Sequence, residues 1–471
     1  MNIRNGENNN SERTYDSFYQ VCHAVETVFE DEWRDADEYA KSRRLEREKK
    51  ALMGYEAETA FYKARIKAII DEKRYGQAVP PPWYRSLEDG VFHEIYGLAG
   101  LAPWAYDEDE KYRESSSAKI IGDRMYCLID GKSQLQPQKI SLERREKLKR
   151  TLLLASPRER MENGFHEIYL HNGIRITIFS GERTKKGEDI MVFRKYVLRE
   201  HSFESLVKLK TIPAEAVSLF RTMIRAGFNV LFAGAVRSGK THFMQVWQSM
   251  EDPSFEGLAI ATDPETPWHT LMPDAPIMQL IADGSDLENI GKSILRGDND
   301  YVLIEEMRDA CAYRIALEIT STGTRRSKAT IHDNSAVNIP YKMASKICEK
   351  YGGNLQSTVT QVFQNFDFVF EFAQLPENRA VKKLKGISEL RYDKERDMVS
   401  VHEICRYDFE KECWQWKNDV SLMWEGLNGN ELMEAEKMKG ILNELECRNP
   451  IKTNSVIYPR YYRYEESEKY K

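Results

Sequence analysis

The chain has 471 residues, of which 41% are hydrophobic and 31% charged, a composition typical of a folded globular protein rather than a disordered one. Its net charge of -6 and its pI near 6.0 give no general electrostatic reason to expect nucleic-acid binding. The N-terminus lacks the apolar core of a secretory signal, and no apolar run reaches about 18–20 residues. The seven cysteines are scattered and include no CxxC pair. Together these features predict a cytoplasmic protein without disulfides.

Residues 1–80 are predicted to form a helical N-terminal extension. Between Tyr15 and Tyr75 there is no proline and one glycine, and apolar residues recur at helical spacing among charged ones. The charged run Lys41–Lys50 favours a solvated helix face over a binding patch. Three prolines at 80–82 then break the helix and mark a linker.

Residues 87–200 are predicted to form an α+β domain. The run Ile120–Gly131 alternates apolar and polar residues and ends in an Asp-Gly turn. An Asn-Gly pair divides Tyr169–Ile178 into two strand-like halves, which predicts a β-hairpin. The charged stretch Ser141–Leu154 between them predicts a helix.

From residue 201 to about 410 the pattern becomes strand, turn, helix, repeated, which predicts a parallel sheet covered by helices and an α/β fold. The short apolar runs are Phe228–Ala233, Leu258–Ala261, Tyr301–Ile304 and Lys328–Ile331, followed by Phe368–Phe372, Lys383–Leu390 and Val399–Cys405. Residues 411–471 are predicted to be a C-terminal helix near Glu431–Leu445 and a loose tail from Arg448 onward.

A phosphate-binding motif lies between the first of these strands and the helix after it. Gly234–Thr241 match GxxxxGK[ST], whose backbone amides and helix N-terminus attract phosphate oxygens. We expect Lys240 to reach the β- and γ-phosphates of ATP and the Thr241 hydroxyl to bind Mg²⁺. The residues predicted to contact the nucleotide are Gly234, Ala235, Val236, Arg237, Ser238, Gly239, Lys240, Thr241 and His242.

Polar residues also stand at the carboxyl ends of three other predicted strands. Glu305 and Glu306 end one strand, and such a pair can hold the water shell of magnesium and orient an attacking water. We assign the chemistry to Glu306 and the metal, through water, to Glu305. Asp263 and His332 follow two further strands. Because the carboxyl ends of parallel strands meet in one crevice, these side chains are predicted to form one site.

The four segments, in this order, resemble the type II/type IV secretion-system ATPase superfamily, especially its Flp/Tad pilus branch. Its members carry a Walker A, an Asp box E-D-x-x-E, a Walker B ending in G-E-[VI]-R, and a His box G-H-x-G-S-x-x-T-x-H. Asp263 matches the Asp box, Glu306 and Arg308 match the Walker B, and His332 matches the His box. The likeness covers about residues 87 to 407 and implies a RecA-like ATPase domain with Asp263, Arg308 and His332 among its catalytic residues.

Several positions depart from the family pattern, which bears more on the rate of hydrolysis than on nucleotide binding. Arg237 and Glu305 stand where the family has glycine in the Walker A and the Walker B. The other replacements are Thr262 and Thr266 for glutamates of the Asp box, and Thr324 and Arg326 for a histidine and a glycine of the His box.

The resemblance implies a hexameric motor that hydrolyses ATP and passes motion to an inner-membrane platform protein of a pilus or secretion system, from the cytoplasmic face of the membrane. It also implies that Arg175 and Arg194 complete the phosphate site of a neighbouring subunit. Two alternatives stay open. One is a nucleotide-binding structural or regulatory subunit with little hydrolysis. The other is a conjugative DNA-transfer motor, which the acidic net charge disfavours.

Overall fold

The computed structural model describes residues 15–34, 37–155, 164–171, 173–195, 197, 201–262, 266–282, 284–294, 297–375, 377–378 and 380–462. The chain forms two compact units, Met1–Leu198 and Arg199–Lys471. Within the described ranges, no helix is both long and apolar enough to cross a membrane.

The first unit begins with helices, as the periodicity predicts. They are α1 (Asp16–Arg34), α2 (Glu38–Leu52), α3 (Glu56–Lys73), α4 (Leu87–Ile95) and the short α5 (Ala102–Ala105). Asp37 begins α2 because its side chain accepts from the Ala40 amide, and Ser86 begins α4 in the same way through Asp89. The apolar faces of α1, α3 and α4 share a core built around Phe18, Ile66 and other buried residues.

The rest of the first unit is a six-stranded antiparallel sheet with one covering helix. Its strands are β1 (Ser117–Ile121), β2 (Arg124–Ile129), β3 (Lys132–Lys139), β4 (Phe165–Tyr169), β5 (Arg175–Phe179) and β6 (Ile190–Arg194), and the helix is α6 (Leu142–Ala155). The strand order is β3-β2-β1-β6-β5-β4. The predicted hairpin of β4 and β5 is confirmed. The run Ile120–Gly131 is not one strand, because Gly122 adopts a φ of 59° and turns the chain between β1 and β2.

The second unit is built on one mixed sheet, and the predicted α/β class is confirmed. Its strands are β7 (Val230–Gly234), β8 (Gly257–Ala261), β9 (Ile277–Ile281), β10 (Tyr301–Met307), β11 (Lys328–Ile331), β12 (Phe368–Gln374), β13 (Lys382–Asp393), β14 (Met398–Asp408), β15 (Cys413–Trp416) and β16 (Val456–Ile457). The order is β15-β14-β13-β12-β7-β11-β10-β8-β9, with β16 paired to β14.

Strands β12, β7, β11, β10, β8 and β9 run parallel to one another. The pairs β12–β13, β13–β14 and β14–β15 are antiparallel. The helices are α7 (Phe203–Lys208), α8 (Val217–Ala226), α9 (Lys240–Gln248), α10 (Trp268–Leu271), α11 (Gly284–Ile294), α12 (Ala310–Ser321), α13 (Ile339–Tyr351), α14 (Leu355–Asn365) and α15 (Gly429–Arg448). Separate apolar cores lie on the two faces, one around Phe220, Phe243 and Trp247 and the other around Ile304 and Ile315.

The predicted loose tail is wrong for the part of the tail that the structure describes. Strand β16 pairs with β14, Ile451 and Tyr462 are each 3% exposed, and the Tyr462 hydroxyl donates to Asp397 at 3.0 Å. The Tyr461 hydroxyl donates to the Val337 carbonyl at 2.6 Å. The composition of the tail, rich in Tyr, Lys and Glu, did not reveal this packing. Tyrosine can bury its large ring while its hydroxyl bonds a polar partner, so a Tyr-rich segment also suits a packed surface.

Candidate functional site

The GxxxxGK[ST] segment forms the turn between β7 and α9, as its motif requires. Residues 235–237 are exposed, while Ser238 and Lys240 are buried beneath them. A Cβ on Gly234 would lie 2.4 Å from the Ser238 hydroxyl and 2.5 Å from the Phe372 carbonyl oxygen, so only glycine fits there. Gly239, with a φ of 95°, begins α9. The backbone is therefore shaped into a short loop that ends at a helix N-terminus.

Two arginines that replace family glycines both occupy the left-handed region of backbone space. Arg237 has a φ of 66° and Arg326 a φ of 58°. This region costs a non-glycine residue about 1–2 kcal/mol, a cost that glycine would not incur at either place. Arg237 has an exposed side chain at the loop, whereas the Arg326 guanidinium is buried and bonds Glu251 at 2.6 Å and Glu431 at 2.8 Å.

Four of the predicted site residues form one hydrogen-bonded network. The Lys240 ammonium lies 3.1 Å from Nδ1 of His332 and 3.4 Å from the Ala235 carbonyl oxygen. On the other side of its ring, Nε2 of His332 contacts Glu306, which also accepts from Arg308 at 2.5 Å. Because an ammonium can only donate, Nδ1 of His332 accepts, and Nε2 carries the proton that it donates to the Glu306 carboxylate.

The order of the strands explains why residues so distant in sequence meet. Strand β11 lies between β7 and β10, with Ile331 opposite Ala233 on one side and Met307 on the other. His332, the residue after β11, is thereby placed between the loop after β7 and the acidic end of β10. The network follows from three parallel strands ending side by side.

The electrostatics of the network reflect burial and mutual contact. Burial, only partly offset by Glu306, lowers the pKa of Lys240 to about 8. Burial by itself would raise the pKa of Glu306, but the Arg308 guanidinium and His332 outweigh it and hold that pKa below its usual range. At neutral pH the site therefore presents an ammonium and a carboxylate joined through one imidazole.

Glu305 is separated from this network because successive residues of a strand face opposite sides of the sheet. Glu305 is buried, with 6% of the residue exposed. Its carboxylate accepts from the Thr266 hydroxyl at 2.8 Å and from the Trp268 indole at 2.7 Å. Thr266 in turn accepts from Gln245 of α9 at 2.9 Å. Two departures from the family pattern, Thr266 and Glu305, are thus hydrogen-bonded to each other. The magnesium role given to Glu305 stays a prediction.

The remaining predicted site residues lie as follows. Thr241 and His242 are half-buried in the first turn of α9, and the ring of His242 lies 5.1 Å from that of His201. Asp263 is outside the described residues. Arg175 and Arg194 belong to the first unit, where they are directly opposite each other on β5 and β6. The catalytic roles of all these residues stay predictions.

Two residues that sequence patterns did not single out support the loop. The Gln374 side chain, at the end of β12, donates to the Arg237 carbonyl at 2.9 Å. Lys382, the first residue of β13, passes so close that a Cβ on Gly239 would lie 3.1 Å from its side chain. Both positions depend on tertiary pairing, because β12 ends beside β7 and β13 begins opposite the end of β12, with Lys382 paired to Gln374, and no local motif marks them.

The mixed sheet, with a phosphate-loop turn after its central parallel strand, defines a RecA-like α/β domain of the kind found in P-loop nucleotide-binding proteins. Residues 183–413 match the family model described as "Type II/IV secretion system protein". This part of the chain belongs to the type II/IV secretion ATPase superfamily.

Three solved structures with similarity to the chain share 14–15% sequence identity with it. The VirB11 ATPase of the Brucella suis type IV secretion system, in complex with sulphate, aligns over 61% of this chain and 91% of its own, with a TM-score of 0.33. The pilus retraction motor PilT with bound ADP aligns over 73% of this chain and 89% of its own, with a TM-score of 0.45. The Legionella pneumophila ATPase DotB aligns over 63% of this chain and 81% of its own, with a TM-score of 0.42. A search of curated proteins finds no match.

Proposed function

We propose that the second unit hydrolyses ATP and that the chain works as a motor of the Flp/Tad pilus branch, powering pilus assembly or protein secretion. The observation that carries the proposal is the network joining Lys240 of the loop, His332 and Glu306. It brings a cation that can bind phosphate and a carboxylate that can accept a proton to one end of the sheet. Membership of the family over residues 183–413 supports the same activity.

The residues of the loop suit a nucleoside triphosphate. Gly234 leaves no room for a side chain, residues 235–237 are exposed, and α9 directs its N-terminus toward the loop. Oriented amides and a helix N-terminus favour an anion. Thr241 in the first turn would hold Mg²⁺, whose chemistry is to neutralise charge on the phosphate oxygens. We assign its water shell to the acid pair, with Glu305 as the expected partner.

The roles of the network residues follow from their contacts. Lys240 would bind phosphate oxygens, and their negative charge would favour the protonated ammonium that burial disfavours. Glu306 would accept the proton of the attacking water, and its low pKa keeps it ionised for that purpose. His332 holds one carboxylate oxygen of Glu306 and Arg308 the other, so that the carboxylate is fixed before the nucleotide arrives.

The first test removes the cation of the loop. Lys240→Ala is expected to reduce steady-state ATP hydrolysis by at least about 100-fold while the fold persists. Lys346→Ala, an exposed lysine paired with Glu349 on α13, is the matched control. Hydrolysis by the Lys240→Ala protein at the wild-type rate would refute the assignment of the loop.

The second test separates the two acids. Glu306→Gln is expected to retain ATP but to lose hydrolysis by about 10²–10⁴-fold, because an amide cannot accept the proton. Glu305→Gln is expected to alter the dependence on Mg²⁺ more than the maximal rate. If Glu305→Gln alone abolished turnover, the catalytic acid would be the buried one.

The third test concerns assembly as a ring, which we propose to be a hexamer. Arg175 and Arg194 are cross-strand neighbours, and like charges in such a pair disfavour the folded sheet, although Glu167 accepts from Arg175 at 2.6 Å. A role at the phosphate site of a neighbouring subunit would explain why both are present. Specific activity should then rise with protein concentration.

A mixing experiment tests the role of Arg194 in that ring. Each variant alone, Arg194→Ala or Glu306→Gln, should be inactive, while mixtures should partly recover because some intact sites face a wild-type Arg194. A fully active monomer that neither arginine substitution affects would exclude the ring. We further propose that the chain attaches to the cytoplasmic face of the membrane through an inner-membrane platform protein.

A second candidate is a regulatory subunit that binds nucleotide without turning it over. The observation that favours it is the engagement of Glu305 with Thr266 and Trp268, which gives a carboxylate beside the site a structural role. Tight ADP binding together with hydrolysis no faster than that of Glu306→Gln would select this candidate. Stimulation by single-stranded DNA would instead select the DNA-transfer motor.

A further inference from the structure

The first unit contains a buried cluster of three side chains whose chemistry matches the ligands of a metal ion. Asp89 and His93 lie one turn apart on α4, and Glu108 follows α5. One potential ligand atom of each residue lies within 4.8 Å of the other two. Asp89 is 6% exposed, His93 is 2% exposed, and the side chain of Glu108 is 7% exposed.

The polar atoms of this cluster have few partners. Among the described residues, neither ring nitrogen of His93 forms a hydrogen bond, and the same holds for one oxygen each of Asp89 and Glu108. Nε2 of His93 lies 3.5 Å from Oδ1 of Asp89, a distance longer than an ordinary hydrogen bond. Buried polar atoms without partners are uncommon, and an ion or a water accounts for many of them.

Two basic side chains contact the other oxygens of the carboxylates. Lys63 donates to Oδ1 of Asp89 at 2.5 Å, and Nε of Arg85 lies 3.6 Å from Oε1 of Glu108. Both contacts leave the second carboxylate oxygen available. Metal-binding carboxylates are commonly held in this way, with one oxygen on the ion and the other on a protein group.

Glu108 is delivered to the cluster by a turn that the surrounding structure fixes. Asp107 adopts a φ of 53°, a backbone conformation that costs a non-glycine residue energy. Lys195 stabilises this turn, since it donates to the Trp104 carbonyl at 2.5 Å and pairs with Asp107. The Glu108 amide donates to the Pro103 carbonyl at 3.0 Å. Glu108 is therefore part of an ordered arrangement rather than of a free loop.

We propose that Asp89, His93 and Glu108 bind one divalent transition-metal ion of the Zn²⁺ class. An imidazole with two carboxylates favours such an ion over Mg²⁺, which prefers oxygen ligands alone. Ligand bonds of about 2.0–2.2 Å require the three atoms to move about 1 Å closer together. The ion would join α4 to the turn after α5, so its role is to stabilise the first unit, independently of nucleotide chemistry in the second.

The test measures metal content in the full-length protein, kept reduced so that its seven cysteines form no disulfides. Protein stripped with EDTA is dialysed against micromolar Zn²⁺ in the presence of millimolar Mg²⁺ and analysed by elemental mass spectrometry. The wild type should retain one Zn²⁺ per chain. Glu108→Gln, which keeps the shape of the side chain, and His93→Gln should each lose it.

Matched variants distinguish this site from adventitious binding. Glu110→Gln and His23→Gln change exposed residues of the same unit and should retain the ion. Zn²⁺ should also raise the apparent Tm of the wild type by at least about 3 °C but not that of Glu108→Gln. If the wild type retains no ion, or if Glu108→Gln retains as much as Glu110→Gln, the proposal is refuted. Because Glu108→Gln removes no volume, the outcome stands even if His93→Gln fails to fold.

Discussion

The same substitution at two left-handed positions should change stability in opposite directions. Arg237→Gly and Arg326→Gly both remove the backbone cost of a positive φ, which is about 1–2 kcal/mol. Both also add freedom to the unfolded chain, which offsets about 0.4–1 kcal/mol of that gain. At Arg237, whose side chain is exposed, we therefore expect a change between zero and a stabilisation of about 1 kcal/mol.

At Arg326 the side chain reverses the sign. Its guanidinium, 9% exposed, donates to Glu251, Glu431 and the Ile224 carbonyl oxygen. Removing one partner of a buried ion pair costs about 3–5 kcal/mol, and we take the lower end because Lys328 still neutralises Glu251. After the backbone gain, Arg326→Gly should destabilise the second unit by about 2–3 kcal/mol.

The measurement is thermal unfolding of the full-length protein, followed by a probe in the second unit. At about 2 °C per kcal/mol for a unit of this size, Arg326→Gly should lower Tm by about 4–6 °C and Arg237→Gly should leave it equal or higher. Equal shifts for the two variants would show that backbone strain rather than the buried ion pair governs Arg326. A fall for Arg237→Gly would show that contacts of its exposed side chain outweigh the backbone cost of its positive φ.

Three further predictions follow from particular contacts. Because phosphate oxygens should raise the lowered pKa of Lys240, ADP binding near pH 8.5 should take up a proton. The affinity should be full well below pH 8 and should fall as pH rises through 8, and calorimetry in two buffers measures both the proton uptake and the affinity. Gly234→Ala would place a Cβ 2.5 Å from a carbonyl oxygen and should lower the free energy of unfolding, measured in urea, by about 2–4 kcal/mol. Gly440→Ala should not lower it, because a Cβ at that position of α15 meets no atom within 4 Å. Tyr462→Ala should cost about 2–4 kcal/mol by the same assay and Tyr458→Ala, 51% exposed, almost nothing.

The sequence predicted the elements whose cause is local. The loop after β7, the acidic end of β10 and the histidine after β11 were placed correctly because each motif combines a short apolar strand with a fixed polar end. Strand β9 was missed although four of its five residues are apolar, and the structure places it at the edge of the sheet, where its residues are only partly buried or exposed. Strand β15 was also missed, because it depends on pairing with β14 rather than on its own composition.

Tertiary structure decided which of those residues meet. The sequence predicted that Lys240, His332, Glu305 and Glu306 form one site. The order of the strands brings Lys240 and His332 to Glu306. Because side chains alternate along β10, Glu305 instead lies on the other face and bonds Thr266 and Trp268. Motifs record what each strand end contains, whereas contacts between strand ends depend on pairings across many residues. The sequence by itself therefore determined the family and the chemical types present, and the folded sheet determined which carboxylate lies with the lysine.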